Sequence, residues 1–295
     1  MRTEPRNRSV PFEKRAVAAR SGLLAITSIL LAASLTSTPL MADELSQKGR
    51  EIFKNNRHSV VTVQIVVKSK FSMGGMGGQS NESRQDVTGT LIDSSGLTVL
   101  SLAATDPAQM MQNVMSSMSD DESKFKLETE LSDVKILMED GTEVPAEVVL
   151  RDKDLDLAFV RPKTKLSSSI APLDLSKSGK VEILDQVIAL NRLGNAAGRA
   201  YAASVERIAA VVEKPRLFYV PETSMTMTAL GAPAFSLDGK LVGFFVMRSL
   251  KSRGGGAAMM GMQPENITGI ILPAEAVLKA AKQVPEPGDK TKSQP

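Results

Sequence analysis

From residue 60 to residue 272 the chain is written as short β-branched or apolar runs, each closed by a turn signal, and that pattern points to antiparallel sheet. Residues 60–68, Val-Val-Thr-Val-Gln-Ile-Val-Val-Lys, are predicted to be a strand because branched side chains pack well on a pleated surface. Residues 87–100 read as two strands about a Ser-Ser-Gly turn, and residues 134–150 as a hairpin about Asp140-Gly141. Further candidate strands lie at 187–190, 200–212, 217–220, 234–237, 241–247 and 267–272. Residues 71–83 hold five residues reading Gly-Gly-Met-Gly-Gly and are expected to form a mobile loop by composition. A lead-in helix is predicted over 44–55, where Leu45, Ile52 and Phe53 recur at helical spacing, and a closing helix over 274–282. Many short strands with so little helix argue for an all-β chain of two antiparallel barrels.

What precedes the first strand has a different character. Residues 1–20 carry six Lys/Arg against two Glu, and residues 21–42 then run without charge through a Leu/Ala/Ile-rich stretch. A basic segment followed by an apolar one is the pattern of a signal peptide, expected over residues 1–42 with cleavage after Ala42. The chain is therefore expected to be exported, to the periplasm or outside the cell, and to meet a membrane only if this segment stays uncleaved. Net charge is +3 for all 295 residues, but beyond the leader 30 Lys/Arg face 31 Asp/Glu, which gives no reason to expect a nucleic-acid partner. No cysteine is present, so an exported chain of this kind must be held by its core rather than by disulfides.

Residues 228–244 read Thr-Ala-Leu-Gly-Ala-Pro-Ala-Phe-Ser-Leu-Asp-Gly-Lys-Leu-Val-Gly-Phe. This resembles the nucleophile strand of trypsin-like serine proteases of the bacterial HtrA/Deg type, roughly Gly-Asn-Ser-Gly-Gly followed later by Gly-x-Leu-(Ile/Val)-Gly. The overlay keeps Gly231, Gly239, Leu241 and Gly243. Residues 89–97, the hairpin and Asp-Leu-Ala stretch within 136–162, and Ile270-Ile-Leu-Pro-Ala-Glu275 are similar to further blocks of that family, in the same order. The resemblance spans roughly residues 58–283 and implies two six-stranded trypsin-like barrels, at about 58–165 and 180–272. A disordered tail is expected over 284–295.

On that resemblance Leu230 occupies the position of the nucleophilic serine, and leucine has no proton to give up and no lone pair with which to attack. The segment that supplies the family's general base reads Thr98-Val-Leu-Ser-Leu-Ala-Ala-Thr105 here, so the base position falls on Ala103 or Ala104. Neither accepts a proton. The orienting aspartate corresponds to Asp156, left with no imidazole to orient. The oxyanion turn, a glycine in the family, is Thr228. The implied cleft is lined by Met225, Met227, Thr228, Leu230 and Gly231.

Substitute chemistry has few candidates. His58 is the only histidine and lies outside the base segment, where a surface or edge role is expected. Ser224, Ser236, Lys240 and Lys251 lie in the half where a serine–lysine dyad would form, although both residue types are common on exposed turns. By strand alternation Asp154 and Asp156 are expected to form a carboxylate pair on one face. Fifteen methionines include Met110, Met111, Met115 and Met118, expected on a helix inserted within 105–132. Met73 and Met76 lie in one Gly-rich segment and Met259, Met260 and Met262 in another. Thioethers suit Cu(I) or adaptable apolar binding, though core filling is the ordinary use. No metal site and no cofactor is expected. The combined expectation is an exported pseudoprotease that binds an unknown peptide or protein or serves a structural role. Two other classes remain: a serine endopeptidase with a non-standard base, and a Met-rich Cu(I) binder.

Overall fold

The computed structural model describes residues 40–73, 76–105, 125–166, 171–223, 229–249 and 267–286. Helix α1 spans Leu40–Asn56 and passes through a turn of 3-10 helix, Arg57–Ser59, into the first strand. Six strands make the first barrel: β1 (Val60–Met73), β2 (Met76–Leu91), β3 (Thr98–Ser101), β4 (Phe125–Leu137), β5 (Glu143–Asp152) and β6 (Leu157–Pro162). One helical turn, α2 (Leu102–Thr105), follows β3. The second barrel comprises β7 (Gln186–Arg192), β8 (Tyr201–Val212), β9 (Phe218–Pro221), β10 (Pro233–Ser236), β11 (Leu241–Ser249) and β12 (Ile267–Pro273), and helix α3 (Ala274–Ala281) closes the chain. All twelve strands pair antiparallel, in the closed orders β1-β2-β3-β6-β5-β4 and β10-β11-β12-β9-β8-β7. The all-β, two-barrel reading is thus the observed architecture, and every run assigned to a strand from the sequence is one.

Period-two patterning explains both cores. In β1, Val61, Val63 and Ile65 enter the first-barrel core together with Leu91, Leu100, Ile136, Ala158 and Val160. Val187 and Ala189 of β7 enter the second with Ile208, Val242, Phe245 and Ile271. The opposite face of β7 is buried too, for Ile188 lies against Gly49 of α1, where a β-carbon would stand 3.5 Å from its Cδ1. That is why β7 reads as a continuous apolar run rather than an alternating one.

Three expectations are corrected. Residues 71–83 are largely not a loop: β1 and β2 continue through them as one ladder, with Lys68 opposite Glu82, Ser69 opposite Asn81 and Lys70 opposite Ser80. β1 is also paired along its other edge with β4, as far as Met73 opposite Phe125. Two flanking strands satisfy the β1 backbone through a stretch whose composition alone signals a loop. Residues 125–132, placed in the inserted helical region, belong to β4, whereas Met110, Met111, Met115 and Met118 lie outside the described residues. Arg161 donates to the Pro285 carbonyl at 2.6 Å, and residues 287–295 of the expected tail lie outside the described residues. Asp154 and Asp156 share no strand face, because Asp152 accepts the N–H groups of Asp154 and Leu155, each at 3.0 Å, and turns the chain before β6 begins. No helix among the described residues is long and apolar enough to cross a membrane.

Candidate functional site

Two short segments meet where the barrels touch. One is β3–α2 with the turn before β6; the other is residues 229–232 leading into β10, with β11 behind them. Leu230 is only 1% exposed and belongs to the first-barrel core, packed with residues such as Val61, Leu100, Leu102 and Ala104. Half-buried Ala103 and Met247 pack on the same cluster. A leucine sealed in this way contributes about 2 kcal/mol of burial.

The neighbouring glycine explains how Leu230 gets there. Gly231 has φ +87°, and a β-carbon on it would stand 2.3 Å from the Thr88 carbonyl oxygen. Only glycine permits both that conformation and that approach. Its N–H donates to the Phe245 carbonyl at 2.7 Å, and its carbonyl accepts from Thr90 Oγ1 at 3.1 Å. Residues 229–232 are therefore pressed against β2 and tied to β11.

Asp156 is the most densely bonded polar group at this junction. It sits at φ +57°, a left-handed conformation that aspartate tolerates better than most residues. Its carboxylate accepts from Ser101 Oγ at 2.5 Å, from the Ala103 N–H at 2.7 Å and from the Met247 N–H at 2.7 Å. Its carbonyl accepts from the Leu102 N–H at 2.9 Å. Burial nonetheless pushes the carboxyl up to about 6, since the three donors only partly offset the loss of water. One side chain thus joins the end of β3 to β11 of the other barrel. The carboxylate holds two backbone amides and a serine hydroxyl.

The substitute groups are engaged elsewhere. His58 Nδ1 lies 2.8 Å from Glu139 Oε2, and Arg57 lies 3.4 Å from the other oxygen of that carboxylate. Ser236 Oγ donates to Asp238 and to the Lys240 carbonyl at 3.1 Å, while Lys240 Nζ lies 2.8 Å from Asp238. The hydrogen bond that Lys240 donates to the Asp238 carboxylate raises the ammonium above its ordinary range, the opposite of what a lysine base needs. Ser101 is fully buried and donates its proton to Asp156. Met225, Met227, Thr228, Ser224, Lys251, Met259, Met260 and Met262 lie outside the described residues, as do the side chains of Met73 and Met76. Among the described residues no group of three His, Cys, Asp or Glu side chains is placed to hold a metal.

Sequence reading missed Ser101 and Met247 as partners of Asp156. Met247 gives no signal, because it contributes a backbone N–H, which any residue but proline supplies. It also missed a second polar tie between the barrels, where Arg199 Nε lies 2.7 Å from Asp86 Oδ2 and Gln64 donates to the other oxygen at 3.1 Å.

No curated protein sequence matches the chain. Among solved structures it is similar to the HtrA-type protease AlgW with a decapeptide, at a TM-score of 0.51 and 13% identity. That alignment covers 79% of this chain and 65% of the other, so the chain spans about two thirds of the protein it matches. At such identity the likeness speaks for the fold alone. The family model for the trypsin-like peptidase domain matches residues 87–244, more than half of the sequence, with both junction segments inside it. The chain belongs to the trypsin-like peptidase domain family.

Proposed function

We propose that this chain is an exported, non-catalytic member of its family, a pseudoprotease whose role is to bind a peptide or protein or to act as a structural element. The observation that carries the reading is Leu230. It stands where the family's nucleophilic serine belongs, and its side chain is sealed in the first-barrel core. An alkyl group there neither attacks a carbonyl nor leaves room for one.

The base position supports the same conclusion. Of the two candidate alanines, Ala103 is the one whose N–H reaches the Asp156 carboxylate, so we assign the base position to it. A methyl group at that point takes no proton from anything. Asp156 then acts as an inter-barrel tie, a role that needs no histidine. The apolar filling between Leu230, Ala103 and Met247 favours partner binding away from the former nucleophile position, or a scaffold role, over peptide capture at that position. Export rests on the basic and apolar character of residues 1–42.

Hydrolysis of fluorescein-labelled casein by the full chain tests the reading. The expected result is no release above a buffer blank over a day. Hydrolysis that disappears on replacing one serine would establish a non-standard protease instead.

A further inference from the structure

β2 is left open along one edge. It pairs with β1 in an unbroken register from Gln79 opposite Phe71 to Thr90 opposite Val60. On its other side β3 takes only Thr90 and Leu91. Among the described residues no strand pairs with residues 80–86 on that side. Two contacts fix which backbone groups face it. The Ile92 N–H donates to the Leu97 carbonyl at 2.8 Å, and the Thr88 carbonyl faces Gly231, which also lies against Leu100 of β3. With a period of two, Asp86, Arg84, Glu82 and Ser80 therefore turn their N–H and C=O groups to the open edge.

An open edge is a template for another strand, and natural edges are guarded by proline, lysine, a bulge or charge. Residues 80–86, Ser-Asn-Glu-Ser-Arg-Gln-Asp, have no proline, no lysine and no bulge. Charge is the remaining guard, and it works only where like meets like. Here one exposed acid and one exposed base, Glu82 and Arg84, stand two residues apart on one face. When two copies of this edge meet antiparallel about a two-fold axis, the register decides which charges oppose. Centred on Glu82 or on Arg84, a charge meets itself. Centred on Asn81, neither charge meets its opposite, and centred on Gln85, Glu82 falls against Thr88, whose carbonyl Gly231 already covers. Centred on Ser83, Glu82 of each copy meets Arg84 of the other, and Ser80 meets Asp86. All four carry outward backbone groups, so each such pair closes two ladder hydrogen bonds. The Asp86 end is held in place beforehand, since its carboxylate is already engaged by Arg199 and Gln64.

We propose that residues 80–86 form a homodimer contact, in which β2 of one copy pairs antiparallel with β2 of a second about a two-fold axis at Ser83. The occupant of the edge is a second copy of this chain, because the charge pattern is complementary to itself in that one register. The contact joins two three-stranded ribbons into a single sheet in the order β4-β1-β2-β2-β1-β4. One strand pair is smaller than a standard interface, so association is expected to be weak, with a dissociation constant of about 10–500 µM. The contact uses no residue of the junction around Leu230 and stands whether or not the chain hydrolyses peptides.

Sedimentation equilibrium of the full chain is expected to show monomer and dimer in exchange, and hydrogen exchange at residues 80–86 is expected to slow as concentration rises. Glu82→Arg and Arg84→Glu, each alone, set like charges opposite and are expected to weaken self-association at least about tenfold. An equimolar mixture of the two variants is expected to dimerise again, since one strand then carries two bases and the other two acids. The natural chain has no cysteine, so Ser83→Cys adds a single thiol at the axis. Mild oxidation is expected to link that variant into dimers faster than Asn81→Cys or Gln85→Cys, whose thiols lie off the axis. A chain that stays monomeric at about 1 mM overturns the proposal. So does a dimer indifferent to both charge reversals, or one whose protection falls on residues 125–134 of β4 instead of 80–86.

Discussion

Asp156 offers a perturbation whose sign and size follow from its surroundings. Its carboxyl is pushed up to about 6 by burial, from an ordinary 3.8, so the folded chain holds that proton more tightly than the unfolded chain does. The resulting stabilisation is fully present below the unfolded value and is lost as pH rises through about 6. Complete titration corresponds to about 3 kcal/mol, and between about pH 7.5 and about pH 5 the change is about 1.4 kcal/mol. Asp238 does not interfere, since Lys240 and then Ser236 hold it down to about 2, and its stabilisation is lost only as pH falls through that value. The assay is urea unfolding of the natural chain and of Asp156→Asn across this range. An amide does not titrate there, and its N–H₂ meets donors where the carboxylate accepted, so the variant is less stable by an offset that does not depend on pH. The stability advantage of the natural chain over the variant is expected to grow by about 1.4 kcal/mol as pH falls from about 7.5 to about 5. An advantage constant to within about 0.3 kcal/mol, or one that shrinks, would refute the reasoning that burial dominates at Asp156.

Three further substitutions bear on the junction. Gly231→Ala places a β-carbon 2.3 Å from the Thr88 carbonyl in a left-handed conformation, and a loss of about 3 kcal/mol or more in urea unfolding is expected. Leu230→Ser places a hydroxyl at the position we propose for the nucleophile but adds no base, so casein hydrolysis is expected to stay absent. The same change is expected to lower stability by about 3–5 kcal/mol through the cavity and the buried hydroxyl. Arg199→Ala strands Asp86, whose side chain is only 10% exposed, and about 1–3 kcal/mol of stability is expected to go with it, read by thermal unfolding.

Most of the barrel framework was legible because it is carried by local signals. Runs such as 60–68 and 187–190 are branched and apolar, and the Asp140-Gly141 turn sits between β4 and β5 where the dipeptide places it. The hairpin through 71–83 escaped because its strand character comes from two neighbours, one of them more than 50 residues away, and not from its own glycine-rich composition. Alternation failed at Asp154 and Asp156 because the side chain of Asp152 takes over the backbone N–H groups there, a competition that a period of two does not register. At the junction, Leu230 and the alanines at 103 and 104 were readable as departures from the pattern the chain resembles. Their surroundings were not, since the core that seals Leu230 is assembled from all six strands of the first barrel together with α2.

The claim that rests on Leu230 and Ala103 is loss of acyl-transfer chemistry, and covalent labelling tests it most directly. The intact mass of the full chain after prolonged incubation with a fluorophosphonate, which phosphonylates activated serines, is predicted to be unchanged. A single adduct that maps to one serine and is prevented by prior denaturation would contradict the account.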